Sequence, residues 1–233
     1  MAKKQKVKRI SRDSESALFP EAIYKLNDDR TSMPKSYEFL PYPECILNYK
    51  VILLPKFFNA KICESIISHF SVSNTMESFC QRRTKDYAER FNDRASVISS
   101  EVANIIWARL FRVLQKDNYI IDVLGFKHSK GLNPQLRVYR YEEGHHFGKH
   151  YDESVKLDQL GTTQWTLLIY LSGGDSLVGG DTIFYAPDNN KAEYIHPSKG
   201  LALLHKHGDD CLLHEAQMVE KGVKWVLRSD VIF

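Results

Sequence analysis

The chain has 233 residues and a mass of 27.0 kDa, with 43% hydrophobic and 26% charged residues, which gives room for one large domain and excludes a disordered, collagen-like or low-complexity protein. No apolar run approaches the ~18–20 residues that cross a bilayer, and the start, MAKKQKVKRI, lacks the apolar stretch of a secretory signal, so the expectation is an intracellular protein of the cytoplasm, the nucleus or both, without a membrane partner. The formal charge of +3 is local: six of the 32 cationic side chains but one of the 29 acidic ones lie in residues 1–13, leaving a body of formal charge −2, which argues against a nucleic-acid-gripping core and leaves KKQKVKR as a candidate nuclear address.

Residues 1–40 mix charge, Ser, Pro and Asn without a sustained period and read as a basic tail and leader. Residues 41–233 then read as a single domain, with helical support over 41–130 and a β-rich core over 134–233. From Cys45, CILNYKVILLPKFF reads as a strand ending at a Pro-containing turn. AKICESIISHF follows with Ile62, Ile66 and Phe70 at helical spacing. The stretch RRTKDYAERFNDRAS, with Arg82, Arg83, Asn92 and Arg94, is polar and reads as an irregular connector at a site entrance. Ser99 has the chemistry of an N-cap, and the helix after it carries Val102, Ile105, Ile106, Leu110 and Leu114 as one stripe. Beyond residue 134 short β-rich runs alternate with polar or Gly turns: QLRVYRY, WTLLIYLS, DTIFYA, AEYIHP, LALLHK, LLHEAQMV and VKWVLRSDVIF. Without intervening helices this pattern excludes a parallel α/β sheet and predicts a mainly β fold with flanking N-terminal helices and a jelly-roll core. Cys45, Cys63, Cys80 and Cys211 form no C-x-x-C pair, so reduced thiols are expected rather than disulfides or a structural zinc site.

The chemistry concentrates in GKHYDES. His150 and Asp152 stand one residue apart, and on a strand such positions face the same way. An imidazole and a carboxylate side by side can take adjacent positions on one metal ion, and His214, in a later β run, supplies the third ligand. Two imidazoles and one carboxylate leave coordination positions open, which suits non-haem Fe(II). The second H-x-D, His207 and Asp209 in KHGDD, reads as a turn, and only His214 follows it to complete a set. His145 and His146, neighbours on a strand and so on opposite faces, are read as exposed or hydrogen-bonded histidines, and His205 and His207 as strand-end or turn histidines outside the coordination set. In the last run, Lys224 and Arg228 stand at even spacing. A lysine facing the interior of a small barrel calls for an anionic ligand such as a dicarboxylate, whereas Arg228 has Asp230 two residues on as a structural partner.

The stretch from Leu136 to Phe233 resembles the 2-oxoglutarate- and Fe(II)-dependent dioxygenases of the prolyl 4-hydroxylase-like superfamily, whose core is a double-stranded β-helix. LRVYRYEEGHHFGKHYD meets the family's approach to H-x-D, TLLIYLS with GGDTIF meets its middle motif, and HEAQMVEKGVK meets its distal His with a Lys ten residues later. The resemblance implies His150, Asp152 and His214 as metal ligands and catalytic residues, and Tyr141 and Lys224, with Arg228, as the cosubstrate-binding side chains. It implies Fe(II), 2-oxoglutarate and O2, with ascorbate as accessory reductant, and hydroxylation of a substrate with release of succinate and CO2. A protein or peptide side chain is the expected target. A small-molecule oxygenase, a chromatin- or nucleic-acid-directed dioxygenase, a catalytically silent jelly-roll binding module and a zinc hydrolase remain as alternatives. Phe147 stands where many relatives carry an aromatic hydroxyl, which weighs against a prolyl-peptide substrate.

Overall fold

A computed structural model describes residues 18–26, 40–73, 75–186 and 191–233. Most of the expected leader, including the basic run, lies outside these residues. Its described part is packed rather than solvated: helix α1 (Glu21–Tyr24) buries Ile23, and the neighbouring Phe19 meets the Phe70 ring edge-on at 5.4 Å.

Both longer helices form where the sequence places them. Helix α2 (Ala60–Val72) is capped by Asn59, whose Oδ1 accepts from the Ile62 amide at 3.0 Å, and it buries Ile62, Ile66 and Phe70. Helix α3 (Ser100–Leu114) begins after Ser99, whose Oγ accepts from the Val102 amide at 3.2 Å; each cap satisfies one of the free N–H groups of a first turn. The α3 stripe through Val102, Ile106, Leu110 and Leu114 is fully buried.

The strands are β1 (Glu44–Ile46), β2 (Val51–Leu54), β3 (Glu77–Gln81), β4 (Arg90–Ile98), β5 (Gly131–Leu132), β6 (Gln135–Tyr141), β7 (His146–His150), β8 (Lys156–Leu157), β9 (Gly161–Tyr170), β10 (Val178–Gly179), β11 (Thr182–Tyr185), β12 (Ala192–Ile195), β13 (Ala202–Lys206), β14 (Leu213–Ala216), β15 (Val219–Lys221) and β16 (Lys224–Ile232). They form one curled antiparallel sheet in the order β1-β2-β13-β9-β16-β6-β4-β7-β14-β11-β12, with a separate β10–β15 ribbon. The curl turns on β4. Its Asp93–Ile98 portion pairs with β6, whereas Arg90 and Phe91 pair with β7, so the long strand joins the two layers of the jelly roll. The mainly β fold with N-terminal helices is as expected.

Two local expectations are corrected. The run from Cys45 is a hairpin, β1 and β2, because Leu47, Asn48 and Tyr49 turn the chain with left-handed φ of 49°, 53° and 62°. The second half of RRTKDYAERFNDRAS is not a connector but β4, a nine-residue strand at the centre of the sheet order. Strands therefore occur within the region read as helical support. Alternate side chains divide the sheet into two environments: Ala95, Val97, Leu136, Val138, Leu167, Ile169 and Leu227 join the helices in one apolar core, while Tyr139, Tyr141, Tyr170 and Val226 face the other way.

Candidate active site

The sheet's concave side brings three remote side chains together. β7 ends at His150, β14 holds His214 directly opposite it as its antiparallel partner, and one ligand atom each from His150, Asp152 and His214 all lie within 4.8 Å of one another. Asp152 is not on the strand with His150, as its spacing suggested, but two residues beyond it, just past the end of β7, with its amide on the Cys211 sulfur at 3.3 Å. His150 Nε2 stands 3.6 Å from Asp152 Oδ1 and His214 Nε2 stands 4.0 Å from Asp152 Oδ2. The tautomers follow from the neighbours. His150 Nδ1 donates to the Gly148 carbonyl at 2.8 Å and His214 Nδ1 to the Leu212 carbonyl at 2.9 Å; a carbonyl can only accept, so both Nε2 atoms are left as lone-pair donors aimed at the common point.

The electrostatics suit a cation at that point. Burial pushes His150 down to about 3, with the neighbouring His214 adding to the effect, and burial lowers His214 as well; both are neutral, the form in which imidazole ligates. Burial by itself would raise the Asp152 carboxyl, but the Arg228 guanidinium and the surrounding imidazoles outweigh it and hold the group well below the usual range. Arg228 Nη2 lies 3.0 Å from Asp152 Oδ2 and 3.4 Å from Asp230 Oδ1, and Thr166 donates to the same Asp152 oxygen at 2.8 Å. Arg228 thus has the expected Asp230 contact and a shorter one to Asp152. A neutral, neutral, anionic set of two imidazoles and a carboxylate fits a divalent metal with open positions.

His205 belongs to the site, against its sequence-based reading. It is buried, its ring centroid is 4.5 Å from that of His214, and its Nε2 is 3.5 Å from Asp152 Oδ2. With Cys211 and His214 it forms a second group that can hold a metal. Burial pushes the Cys211 thiol up to about 11, and only a thiolate ligates well, so the set containing the already ionised Asp152 is the better cation site. The signal available in the sequence was the parity of LALLHK, which puts Leu203 and His205 on one face. His207 sits between Thr163 and Thr166, each 3.0 Å away, Gly208–Asp210 is a single tight turn, and His146 turns to Glu89 at 3.3 Å, all as expected, whereas the His145 Nδ1 is buried without a hydrogen-bond partner among the described residues.

A narrow cavity of about 50 Å³ leads from the three ligands to Tyr141, Tyr170 and Lys224. Lys224 is the first residue of β16, paired with Tyr141 of β6, and only 2% exposed. Its Nζ donates to the Gly180 carbonyl at 2.6 Å, and the Tyr141 and Tyr170 rings each lie 5.5 Å away. No carboxylate among the described residues forms an ion pair with it. Burial pushes its pKa down to about 7, against a raising influence of Asp181. A buried ammonium with one backbone acceptor and two aromatic faces is held at a cost that an incoming carboxylate would relieve. Phe147 stacks on the His150 ring at 3.6 Å, which restricts the rotation of that ligand.

Residues 136–229 match the family model described as 2OG-Fe(II) oxygenase superfamily. Among solved structures, the chain is similar to a prolyl hydroxylase from Trichoplax adhaerens, in complex with a hypoxia inducible factor oxygen degradation domain peptide fragment, at 14% identity and a TM-score of 0.60 over 93% of this chain and 95% of that one. It is also similar to the viral collagen prolyl hydroxylase of Paramecium bursaria Chlorella virus-1 in its 2OG complex (17% identity, TM-score 0.53, 79% and 96% covered) and to a Pseudomonas putida prolyl-4-hydroxylase (13%, 0.56, 78% and 92%). No curated protein matches the chain by sequence.

Proposed function

We propose that the chain, whose residues 136–229 match the 2OG-Fe(II) oxygenase superfamily model, works as an oxygenase of that kind and hydroxylates a protein or peptide side chain, with Fe(II) on His150, Asp152 and His214 and the far carboxylate of 2-oxoglutarate on Lys224. The observation that carries this reading is Lys224 itself: a buried amine that forms no ion pair among the described residues, lining the same cavity as two neutral imidazoles and an ionised aspartate. When bound, the metal and 2-oxoglutarate activate O2 and couple oxidative decarboxylation, to succinate and CO2, with insertion of one oxygen atom into the substrate.

The remaining work is done by the chain. Lys224 and Tyr141 bind and orient the cosubstrate, the carbonyls of Gly148 and Leu212 hold the two imidazoles in the ligating tautomer, and Arg228 with Thr166 occupies Asp152 Oδ2 so that Oδ1 faces the metal. Tyr170, whose hydroxyl donates to Thr182 at 2.7 Å, closes the wall beside Lys224 and keeps water away from it. A peptide substrate is supported by the Trichoplax relative, whose structure contains a peptide fragment, and by the acidic body, which disfavours a nucleic-acid backbone.

The test is 2-oxoglutarate-dependent succinate release by the iron-loaded protein, with the Asp152→Ala variant as control, followed by a search of peptides from cell extract for masses raised by one oxygen. Asp152→Ala is expected to lower turnover by at least about a hundredfold and to weaken iron binding, since a lost ligand leaves an incomplete facial set. Equal succinate from both proteins would remove the assigned triad.

A further inference from the structure

Beyond the iron pocket, the concave face continues into a groove of about 320 Å³ lined by Glu77, Arg94, Ser96, Gln135 and Arg137. Two side-chain bridges connect them. Arg90, which lines the iron pocket, and Arg94, which lines the groove, lie against the same Phe79 ring with their guanidinium carbons 5.7 Å and 4.2 Å from its centroid. Asp230 stands 3.4 Å from Arg228 and 3.7 Å from Arg137, which are cross-strand partners on β16 and β6. A body of formal charge −2 therefore gathers arginines on the one face that leads away from the metal.

Two of these arginines lack an anion. Arg137 and Arg228 share Asp230, but Arg90 donates from Nε to Asn92 Oδ1 at 2.8 Å, hydrogen-bonds the Tyr139 and Tyr141 side chains, and lies over the Tyr139 and Phe147 rings, at 4.8 Å and 4.3 Å. Arg94 lies over the Phe79 ring, with its guanidinium carbon 4.2 Å from the centroid. Neither forms an ion pair among the described residues. A guanidinium held by neutral hydrogen bonds and aromatic faces keeps a positive charge that a carboxylate can meet, and a planar guanidinium meets it with strong, directional N–H donors. Positions 90 and 94 share one face of β4, four residues apart, a span of about 13 Å along a strand.

Resting on the peptide reading above, we propose that the substrate is an acidic peptide segment, bound extended along β4, with one carboxylate on Arg90 beside the reactive residue and a second, four residues further on, at Arg94 and Arg137. Glu77 in the groove and Asp230 beneath it favour discrete side-chain carboxylates over a phosphodiester backbone, which would bring a charge to every step along the groove.

Binding of labelled twelve-residue Gly/Ser peptides by fluorescence anisotropy tests this without requiring turnover. Peptides with Asp, Asn or Lys at two positions four apart, and a twelve-nucleotide oligothymidylate, are compared at low and high salt. The Asp peptide is expected to bind about tenfold tighter than the Asn peptide at low salt, with the advantage shrinking as salt screens the pairs. Arg94→Glu should invert the preference toward the Lys peptide, a gain that a misfolded variant cannot produce. Equal binding of the Asp and Asn peptides, or tighter binding of the oligonucleotide, overturns the proposal. Succinate release from the same preparation reports separately on the oxygenase reading, so the two can fail independently.

Discussion

The two faces of the same strands obey opposite rules. On the convex side of β4, β6, β9 and β16, Val97, Val138, Ile169 and Leu227 pack on α2 and α3 in a core whose members are buried and apolar. On the concave side, at positions of the opposite parity on the same strands, stand Arg90, Tyr141, Thr166, Lys224 and Arg228. Burial on the first face stabilises, at roughly 1.5–3 kcal/mol per large side chain; on the second it isolates a cation and strips imidazoles of their charge. One face makes the fold, and the other draws on that stability to hold groups ready for ligands.

The largest stability effect expected is on the convex face. Leu110→Ala, at a fully buried position of α3, should cost about 2–5 kcal/mol through lost transfer energy and a cavity. Below its lowered melting temperature the variant should keep its KM for 2-oxoglutarate within about twofold, because the concave groups do not touch α3 and distant sites act independently. Chemical denaturation and initial-rate kinetics measure the two quantities; a large rise in KM would break the separation of the faces.

Lys224→Met on the concave face should do the reverse. Losing a charge-assisted contact to the cosubstrate should raise KM for 2-oxoglutarate about 10–100-fold, while the ligand-free protein gains stability because an uncompensated buried ammonium has gone. The folded-state pKa of Lys224 is lowered from 10.5 to about 7, so the charged form is disfavoured by folding, and the destabilisation grows as pH falls from the unfolded toward the folded pKa and is complete below it. The melting temperature of the variant relative to the parent should therefore rise most at or below neutral pH. A variant that melts lower than its parent there would show that Lys224 is satisfied without a ligand.

This division also explains what the sequence reveals. α2 and α3 are legible because a helix buries one stripe, and β6, β9 and β16 because their convex residues alternate with the rest. β4 is not: Arg90, Asn92, Arg94 and Ser96 occupy its concave positions, so the apolar beat of RFNDRASVI shrinks to Ala95 and Val97 and polar composition imitates a loop. His205 is lost for the converse reason, as a single polar residue in an apolar run. The turn between β1 and β2 uses Leu47, Asn48 and Tyr49 at positive φ, and the absence of Gly or Pro hides it. His150, Asp152 and His214 stand out by spacing and ligand chemistry, Lys224 by its inward parity and Tyr141 by the resemblance alone, and all five line one cavity, although the strand end between His150 and Asp152 is not legible.

A smaller effect on the fold-making side is set by a single cap. Ser99 is buried, and its Oγ serves the Val102 amide, so Ser99→Ala should cost about 1 kcal/mol, with Ser99→Asp recovering part of it. Both changes leave the concave cavity untouched, and an unchanged KM for 2-oxoglutarate alongside a lowered denaturation midpoint would sharpen the contrast. A loss of cosubstrate affinity from the cap alone would show that α3 transmits to the site.

The smallest expected effect separates the faces by pH. With its pKa near 7 in the ligand-free protein, Lys224 is largely neutral at pH 8, whereas a dicarboxylate binds the ammonium. Binding must then take up close to one proton at pH 8, and the dissociation constant for 2-oxoglutarate should rise about fivefold from pH 7 to pH 8, since the free protein is progressively deprotonated across that interval. Calorimetric titration of the protein loaded with an inert divalent metal, in two buffers of different ionisation enthalpy, reads the proton directly, and Lys224→Met should show neither the uptake nor the slope. If the wild type binds without taking up a proton at pH 8, the ammonium is already charged in the empty cavity, some other group is compensating it, and the concave face is less costly to maintain than its burial implies.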